Sequence, residues 1–162
     1  MNGKQIWEKA QFGYSYRTSI LKKEPQDIII LSATFTLEKG DPDMIKSQIE
    51  ENRQKRLKTQ PPGPSLGSIF RNPEGDKAGR LIEAVGLKGK KVGDAEISPI
   101  HANFIINTGN AQAQDVLDLI LLTKQAVESS FGFHLIPEIQ IVGDWDQKYQ
   151  SAIHAINTGS EL

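Results

Sequence analysis

The sequence predicts an α+β fold in which helices cover one face of a sheet. Segments rich in Ile, Phe and Thr alternate along the chain with segments whose apolar residues recur at helical spacing, and short connections separate them. The chain has 162 residues, of which 38% are hydrophobic and 24% are charged, so it can bury one or two cores. We therefore expect a folded protein, and the sequence contains no internal repeat.

The elements before residue 60 are predicted from composition and from turn residues. Large and small side chains alternate over 12–21, and β-branched and aromatic residues dominate 27–37, so we expect two strands that pair with each other. Asp41 followed by Pro42 is a suitable N-cap and first turn, and it predicts a polar, mostly solvated helix to about Lys58. The prolines that follow fix φ and remove donors, which predicts a domain boundary.

Beyond this boundary the pattern predicts shorter strands and two further helices. Apolar residues at helical spacing predict one helix that stops at Gly86 and a longer one over 112–130 that Gly132 closes. Residues 144–162 have a weak pattern, and we expect a partly mobile tail there. The predicted strands lie at 68–71, 95–98, 104–107 and 135–142.

Charge and composition exclude several classes of function. The 19 basic and 20 acidic residues give a formal net charge of -1, which does not favour a nucleic acid or an anionic membrane as a partner. The basic residues of 53–58 follow the acidic residues Glu50 and Glu51 and lack stacking aromatics. No apolar run approaches the roughly 20 residues that span a bilayer, and the N-terminus does not resemble a signal peptide. We expect a cytoplasmic protein.

Metal and thiol chemistry are not expected either. The sequence has no cysteine, which excludes disulfides, cysteine nucleophiles and thiolate metal sites, and which fits a reducing compartment. His134 and His154 belong to no constellation of ligands. We therefore predict no metal site.

Three residues draw attention as candidates for chemistry, although residue type alone favours a simpler explanation for each. Ser68 follows a glycine in a proline-bounded loop, where serine is usually a turn residue. Arg17 lies in a predicted strand, where an arginine commonly forms a surface ion pair. Glu138 lies in another predicted strand, where a glutamate usually faces solvent. The motifs around them are more specific than the residues themselves.

These motifs resemble the catalytic segments of the UDP-N-acetylenolpyruvoylglucosamine reductase family, the flavoenzymes of peptidoglycan precursor synthesis. The string GSIFRNP at 67–73 is similar to the family's Gly-Ser-x-Phe-Lys/Arg-Asn-Pro. The string PEIQIVG at 137–143 is similar to its Pro-Glu-Val/Ile-x-x-x-Gly. The string FGYSYRTS at 12–19 is similar to Phe-Gly-Tyr-Arg-Asp-Ser, with two extra residues and with Thr18 in place of Asp. The short connection at 38–41 resembles the family's shorter type.

The resemblance implies catalytic roles for the three candidates. Ser68 would donate a proton to C2 of the enolpyruvyl group after hydride reaches C3. Arg17 would grip the substrate carboxylate with both arms of its guanidinium and stabilise the charge that develops there. Glu138 would act opposite Arg17, by stabilising the enolic intermediate or relaying its proton.

The resemblance also implies three substrate-binding residues. Asn72 matches an asparagine that contacts the phosphates or the sugar, although Asn before Pro is also an ordinary turn former. Lys88 lies in a glycine-rich stretch, 78–93, that is similar to a family segment and could hold a diphosphate. His101 matches a cleft histidine of the shorter type, and a purely structural histidine is an equally good interpretation.

The resemblance covers residues 11–143, which correspond to the C-terminal part of the family enzyme. It implies that residues 1–60 are the C-terminal part of the second domain, which lies on the FAD side. Residues 64–143 would then form the substrate-binding domain, and residues 144–162 would form a tail. The family reduces UDP-N-acetylglucosamine enolpyruvate to UDP-N-acetylmuramate with NADPH and FAD. Nothing before Phe12 matches its flavin-binding loop.

Three hypotheses of function follow. In the first, the chain is a piece of the reductase, or a separately encoded half whose partner is a separate FAD-binding half, and it is inactive without the FAD-binding part. In the second, it is a flavin-free module that binds a UDP-sugar without redox activity. In the third, it is an adaptor that binds a nucleic acid or a protein through the basic residues of 53–58. The presence of Arg17, Ser68 and Glu138 favours the first.

Overall fold

The structure of the chain is a computed structural model that describes residues 3–23 and 28–158. Its residues form two compact units, which divide between Gly40 and Asp41. The sequence places a boundary later, at 60–64, and the domain limits given there stay predictions. The two units are described in turn.

The first unit contains short helical turns where the sequence predicts a strand at 12–21. A 3-10 helix covers Lys9–Phe12, and the helix α1 covers Ile20–Lys23. Between them, Ser15 and Thr18 exchange main-chain hydrogen bonds of 3.1 Å in a tight turn. The strand prediction is wrong because alternation of side chains produces a strand only where another strand pairs with it.

The second predicted strand, 27–37, also has no counterpart among the described residues. Residues 28–40 belong to no helix or strand, and residue 27 lies outside the described ranges together with most of the predicted connection at 22–26. The side chains of Ile29, Leu31, Phe35 and Leu37 are exposed. An apolar, β-branched composition therefore predicts strand propensity here without determining a partner.

The second unit begins with the helix α2, Pro42–Thr59, which confirms the predicted polar helix. The Oδ1 atom of Asp41 accepts hydrogen bonds from the N–H groups of Asp43 at 2.9 Å and Met44 at 3.0 Å, so the predicted N-cap is correct. No residue of α2 is buried. The helix ends just before Pro61, whose ring is incompatible with a continued helix.

A four-stranded antiparallel sheet follows, in the order β1-β4-β3-β2. The strands β3 and β4 lie where the sequence predicts strands, and β1 lies earlier than the predicted 68–71. The short strand β2 was not predicted, because two residues carry no detectable alternation. The strands are Ser65–Ser68 (β1), Lys91–Val92 (β2), Ala95–Ile97 (β3) and Phe104–Asn107 (β4).

Two further helices are present, as the sequence predicts, and the longer one packs on strands β2 and β3 while the shorter one packs on the longer helix. The helix α3 covers Ala78–Ala84, and α4 covers Ala113–Phe131. Gly132 ends α4 in the left-handed conformation with φ 69°, which is favourable for glycine. The core contains Ile69, Phe70, Leu81, Ile82, Ile97, Leu117, Leu119, Ile120, Val127, Leu135, Ile153 and Ile156.

The C-terminal segment differs from the prediction in two places. Residues 135–142 form no strand, and only Pro137 makes an isolated bridge, to Phe70. A 3-10 helix, Gln147–Tyr149, and the helix α5, Gln150–Thr158, occupy much of the predicted tail. Ile153 and Ile156 of α5 are buried in the core, so tertiary contacts order a segment whose pattern is too short to detect. Among the described residues, no helix is both long and apolar enough to span a lipid bilayer.

Candidate active site

Ser68 is the last residue of β1 and pairs with Phe104 of β4. Its side chain is exposed, and the register of the pairing shifts between Ser65 and Ser68. Gly67, just before it, has a φ of 76°, a left-handed conformation in which a side chain is unfavourable. Such an irregularity turns the strand and changes the direction of the residue that follows. The glycine of the motif therefore has a backbone role in presenting Ser68.

The main chain beyond Ser68 runs beside the segment that carries Glu138. The carbonyl of Ile69 accepts a hydrogen bond of 2.8 Å from the N–H of Glu138, and the N–H of Arg71 donates one of 2.9 Å to the carbonyl of Ile136. Both Ser68 and Glu138 are exposed. The structure thus brings two of the three predicted catalytic residues onto neighbouring segments.

Asn103 is hydrogen-bonded to the main chain of the same region. Its side chain is 4% exposed, its Oδ1 accepts a hydrogen bond from the N–H of Phe70 at 2.9 Å, and its Nδ2 donates to the carbonyl of Phe70 at 2.8 Å. Its own carbonyl accepts a hydrogen bond from the N–H of Ile69 at 2.9 Å. The sequence reasoning missed this residue. The available signal was a single amide within an apolar stretch, because a buried amide must be hydrogen-bonded.

Asn72, a predicted substrate-binding residue, also has a structural contact. Its Oδ1 accepts a hydrogen bond of 3.0 Å from the N–H of Ala78, the first residue of α3. The side chain therefore satisfies one of the main-chain donors at the start of this helix. If Asn72 also contacts a ligand, its Nδ2 is the atom that can still donate to it.

Lys88 and His101 likewise have partners within the protein. The Nζ of Lys88 lies 2.8 Å from Oε1 of Glu83. The Nδ1 of His101 accepts a hydrogen bond of 3.2 Å from the N–H of Asn103, and its ring packs edge-on against Phe104 at 4.9 Å. These contacts agree with a structural histidine, and substrate binding by Lys88 or His101 stays a prediction.

His101 further explains why Gly79 lacks a side chain. A Cβ atom at Gly79 would lie 3.1 Å from Cε1 of His101, closer than an ordinary van der Waals contact. The glycine therefore permits the imidazole to pack against the start of α3. This close packing lies beside Asn103 and thus beside the segment that follows Ser68.

Arg17 belongs to the first unit and lies in the turn between Ser15 and Thr18 instead of in a strand. Its φ is 58°, and among the described residues it is the one non-glycine residue with a positive φ. Its side chain is exposed. A non-glycine residue in this conformation costs free energy, and such positions are frequent at functional sites.

A comparison with protein families identifies the second unit. The family model for "UDP-N-acetylenolpyruvoylglucosamine reductase, C-terminal domain" matches residues 55–142, more than half of the chain. The chain belongs to the UDP-N-acetylenolpyruvoylglucosamine reductase family. The matched region of this reductase family includes Ser68, Asn72, Lys88, His101 and Glu138. The family resemblance inferred from the motifs is therefore confirmed.

Curated and solved members of the reductase family give the same result. The chain is 46% identical over 147 residues to the UDP-N-acetylenolpyruvoylglucosamine reductase of Chloroflexus aggregans, covering 88% of the chain and 50% of that protein. It is 48% identical over 135 residues to UDP-N-acetylenolpyruvoylglucosamine reductase 1 of Bacillus thuringiensis subsp. konkukian, covering 82% of the chain and 44% of that protein.

A crystal structure of the reductase from Thermus caldophilus matches with a TM-score of 0.72 at 35% identity. The match covers 86% of this chain and 48% of the crystallised chain. It supports the α+β class predicted from the sequence. The chain spans about half the length of the curated reductases that it matches.

Proposed function

We propose that the chain supplies the substrate-binding and proton-donating part of a UDP-N-acetylenolpyruvoylglucosamine reductase in peptidoglycan precursor synthesis. The substrate is UDP-N-acetylglucosamine enolpyruvate and the product is UDP-N-acetylmuramate. The observation that carries the proposal is the hydrogen bond between the main chains of Glu138 and Ile69, because it places Glu138 beside the residue that follows Ser68. Membership of the family supports the reaction class.

The cofactors of the proposed reaction are FAD and NADPH, which together supply the hydride. The residues of this chain do not fit a flavin site, since the sequence contains no Gly-x-Gly-x-x-Gly loop. The first N–H of the short helix α3 is already used, because it donates a hydrogen bond to the side chain of Asn72 and not to a cofactor phosphate. We therefore assign FAD binding to the remaining half of the reductase, and only proton transfer and substrate binding to this chain.

Ser68 provides the proton in this proposal. Its O–H bond breaks as a C–H bond forms at C2 of the substrate, and water returns a proton to the oxygen because the side chain is exposed. The acceptor carbon is strongly basic at this point, so a neutral hydroxyl suffices as the acid. The exposed Glu138 on the neighbouring segment stabilises the enolic form or relays its proton.

Arg17 binds the substrate carboxylate in this proposal. A planar guanidinium can donate two parallel hydrogen bonds to a carboxylate, which also stabilises charge that increases in the transition state. The left-handed φ of Arg17 supports a functional constraint at this position. Asn72, Lys88 and His101 complete the proposed substrate contacts, with Lys88 opposite the phosphates.

A reconstituted assay tests the proposal. The chain is mixed with FAD and the separately produced N-terminal half of the Chloroflexus aggregans reductase, and NADPH oxidation and product formation are followed. We expect turnover, and we expect Ser68→Ala to slow formation of UDP-N-acetylmuramate by about 10²–10⁴-fold while flavin reduction by NADPH is unchanged. Equal rates for Ser68→Ala and the unaltered chain would exclude Ser68 as the acid.

The flavin-free UDP-sugar-binding module is a distinct outcome of the same experiment. In that case, calorimetry would detect binding of the substrate to the chain, but no half containing FAD would produce turnover. A cytoplasmic location and the absence of a nucleic-acid partner stay predictions from the sequence.

A further inference from the structure

Two asparagine side chains form the same pair of hydrogen bonds with the main chain. One lies at the segment that follows Ser68, and the other lies at the segment that carries Glu138. Asn103 accepts from the N–H of Phe70 and donates to its carbonyl, at 2.9 and 2.8 Å. Asn157 of α5 accepts from the N–H of Ile141 at 2.8 Å and donates to its carbonyl at 2.7 Å. Each amide therefore satisfies both hydrogen-bonding groups of one residue, as a neighbouring strand would.

These contacts lie at opposite ends of one connected strip of main chain. From Phe70 the strip continues through the hydrogen bonds between 69–71 and 136–138 to Glu138. From Glu138 it reaches Ile141, where Asn157 attaches it to α5. The segment 136–141 is in no strand. These bonds, the burial of Pro137 and the partial packing of Ile139 and Ile141 on the core help to fix its position.

We propose that Asn103 and Asn157 are positioning residues of the active site. Asn103 fixes the main chain that follows Ser68, and Asn157 attaches the segment carrying Glu138 to the C-terminal helix. Neither side chain acts on the substrate in this inference, which rests on the proposed function. Its consequence is that α5, in the predicted tail, controls the placement of Glu138.

Asn157 is the better residue to substitute. It is exposed, so Asn157→Ala removes two hydrogen bonds without creating a cavity. Asn103 is buried, and its substitution would leave the N–H and carbonyl of Phe70 without partners in the core, which would destabilise the fold.

Asn107 offers a matched control for Asn157. It is exposed as Asn157 is, and its Oδ1 accepts two hydrogen bonds, from the N–H groups of Gly109 and Ala111.

Hydrogen exchange on the chain alone tests the positioning directly. We expect Asn157→Ala to increase the exchange rates of the Glu138 and Ile141 amides by about tenfold or more, because local opening becomes easier. Asn107→Ala should leave both rates within about twofold. Asn157→Asp keeps the acceptor and loses the donor, so its exchange rates should lie between those of the unaltered chain and those of Asn157→Ala. Unchanged exchange at Glu138 in Asn157→Ala would overturn the inference, whatever the chain catalyses.

Kinetics in the reconstituted complex test the consequence for the reaction. We expect Asn157→Ala to lower kcat about tenfold with KM changed less than about twofold, since Glu138 acts in the transition state. Asn107→Ala should turn over like the unaltered chain. If Ser68→Ala is impaired while Asn157→Ala retains full kcat, the positioning role is wrong and the proposed function stands. If Ser68→Ala is unimpaired, the proposed chemistry fails, and the exchange experiment still decides whether Asn157 fixes the segment.

Discussion

The N–H of Glu138 donates a hydrogen bond of 2.8 Å to the carbonyl oxygen of Ile69. This bond joins two segments that are far apart in sequence, and each of them carries a candidate catalytic side chain. Because only main-chain atoms form it, this bond can persist when the side chain of Ser68 or Glu138 is changed.

Gly67 should be sensitive to any side chain for a reason of backbone conformation. Its φ is 76°, and nothing lies within 4 Å of the position that a Cβ atom would occupy. We expect Gly67→Ala to lower the free energy of unfolding by about 1 kcal/mol through backbone strain alone. Urea denaturation of the chain measures this difference.

Gly67→Asn provides the control, because asparagine tolerates the left-handed region better than alanine does. We expect the asparagine variant to be the more stable of the two. If Gly67→Ala is as stable as the unaltered chain, Gly67 does not need its left-handed conformation, and the explanation for the irregular end of β1 is wrong.

Asn72→Asp should separate the structural contact of this residue from its proposed contact with substrate. Aspartate still offers an oxygen to the N–H of Ala78, but it has no amide donor and carries a negative charge. We expect stability within about 0.5 kcal/mol of the unaltered chain, and affinity for UDP-N-acetylglucosamine enolpyruvate reduced about tenfold or more. Thermal denaturation and calorimetry measure the two quantities.

Asn72→Ala is the comparison, since it loses both functions and should reduce stability as well as affinity. An aspartate variant that binds the substrate as tightly as asparagine does would show that Asn72 only caps α3.

Asp76 should make stability depend on acid pH. Its carboxylate accepts hydrogen bonds from the side chain of Arg80 and from the N–H of Lys77, and together they lower the pKa of Asp76 to about 2 from 3.8. A lowered pKa in the folded state means that the contribution to stability is present above about pH 3.8 and is lost as the pH falls towards 2. Denaturation midpoints across this range measure the loss.

Asp76→Asn removes the titrating group and should flatten this part of the profile. The same flattening is expected, in part, for Arg80→Ala, because the largest cause of the shift is then absent. Identical slopes in Asp76→Asn and the unaltered chain would contradict the assignment.

Lys124 should reduce stability at neutral pH. It is 8% exposed on α4, and burial lowers the pKa of its ammonium group, while the nearby Glu128 opposes this shift. The unfolded chain therefore binds the proton more strongly, and stability should rise as the pH increases towards the ordinary lysine pKa of 10.5.

Lys124→Met should remove this cost and increase the free energy of unfolding at pH 7 by about 1 kcal/mol. Lys58→Met, at an exposed position of α2, is the control and should have little effect. A destabilised Lys124→Met variant would mean that the ammonium group has a favourable partner that outweighs its burial.

The sequence by itself was enough to predict the secondary-structure elements whose signals are local. Asp41 and Pro42 predict the start of α2, apolar spacing predicts α3 and α4, and Gly132 predicts the end of α4. Caps, left-handed glycines and helical periodicity depend on residues within a few positions of one another. The motif around Ser68 is also local, which is why the family could be inferred from it.

Only the tertiary structure decided which residues become strands and what lies beside Ser68. Residues 135–142 have the alternation of a strand, yet they make a single bridge, at Pro137, and α5 is ordered by burial of Ile153 and Ile156. The bonds of Asn103 and Asn157 join segments that are distant in sequence. Such contacts depend on how the whole chain packs, and no local propensity encodes them.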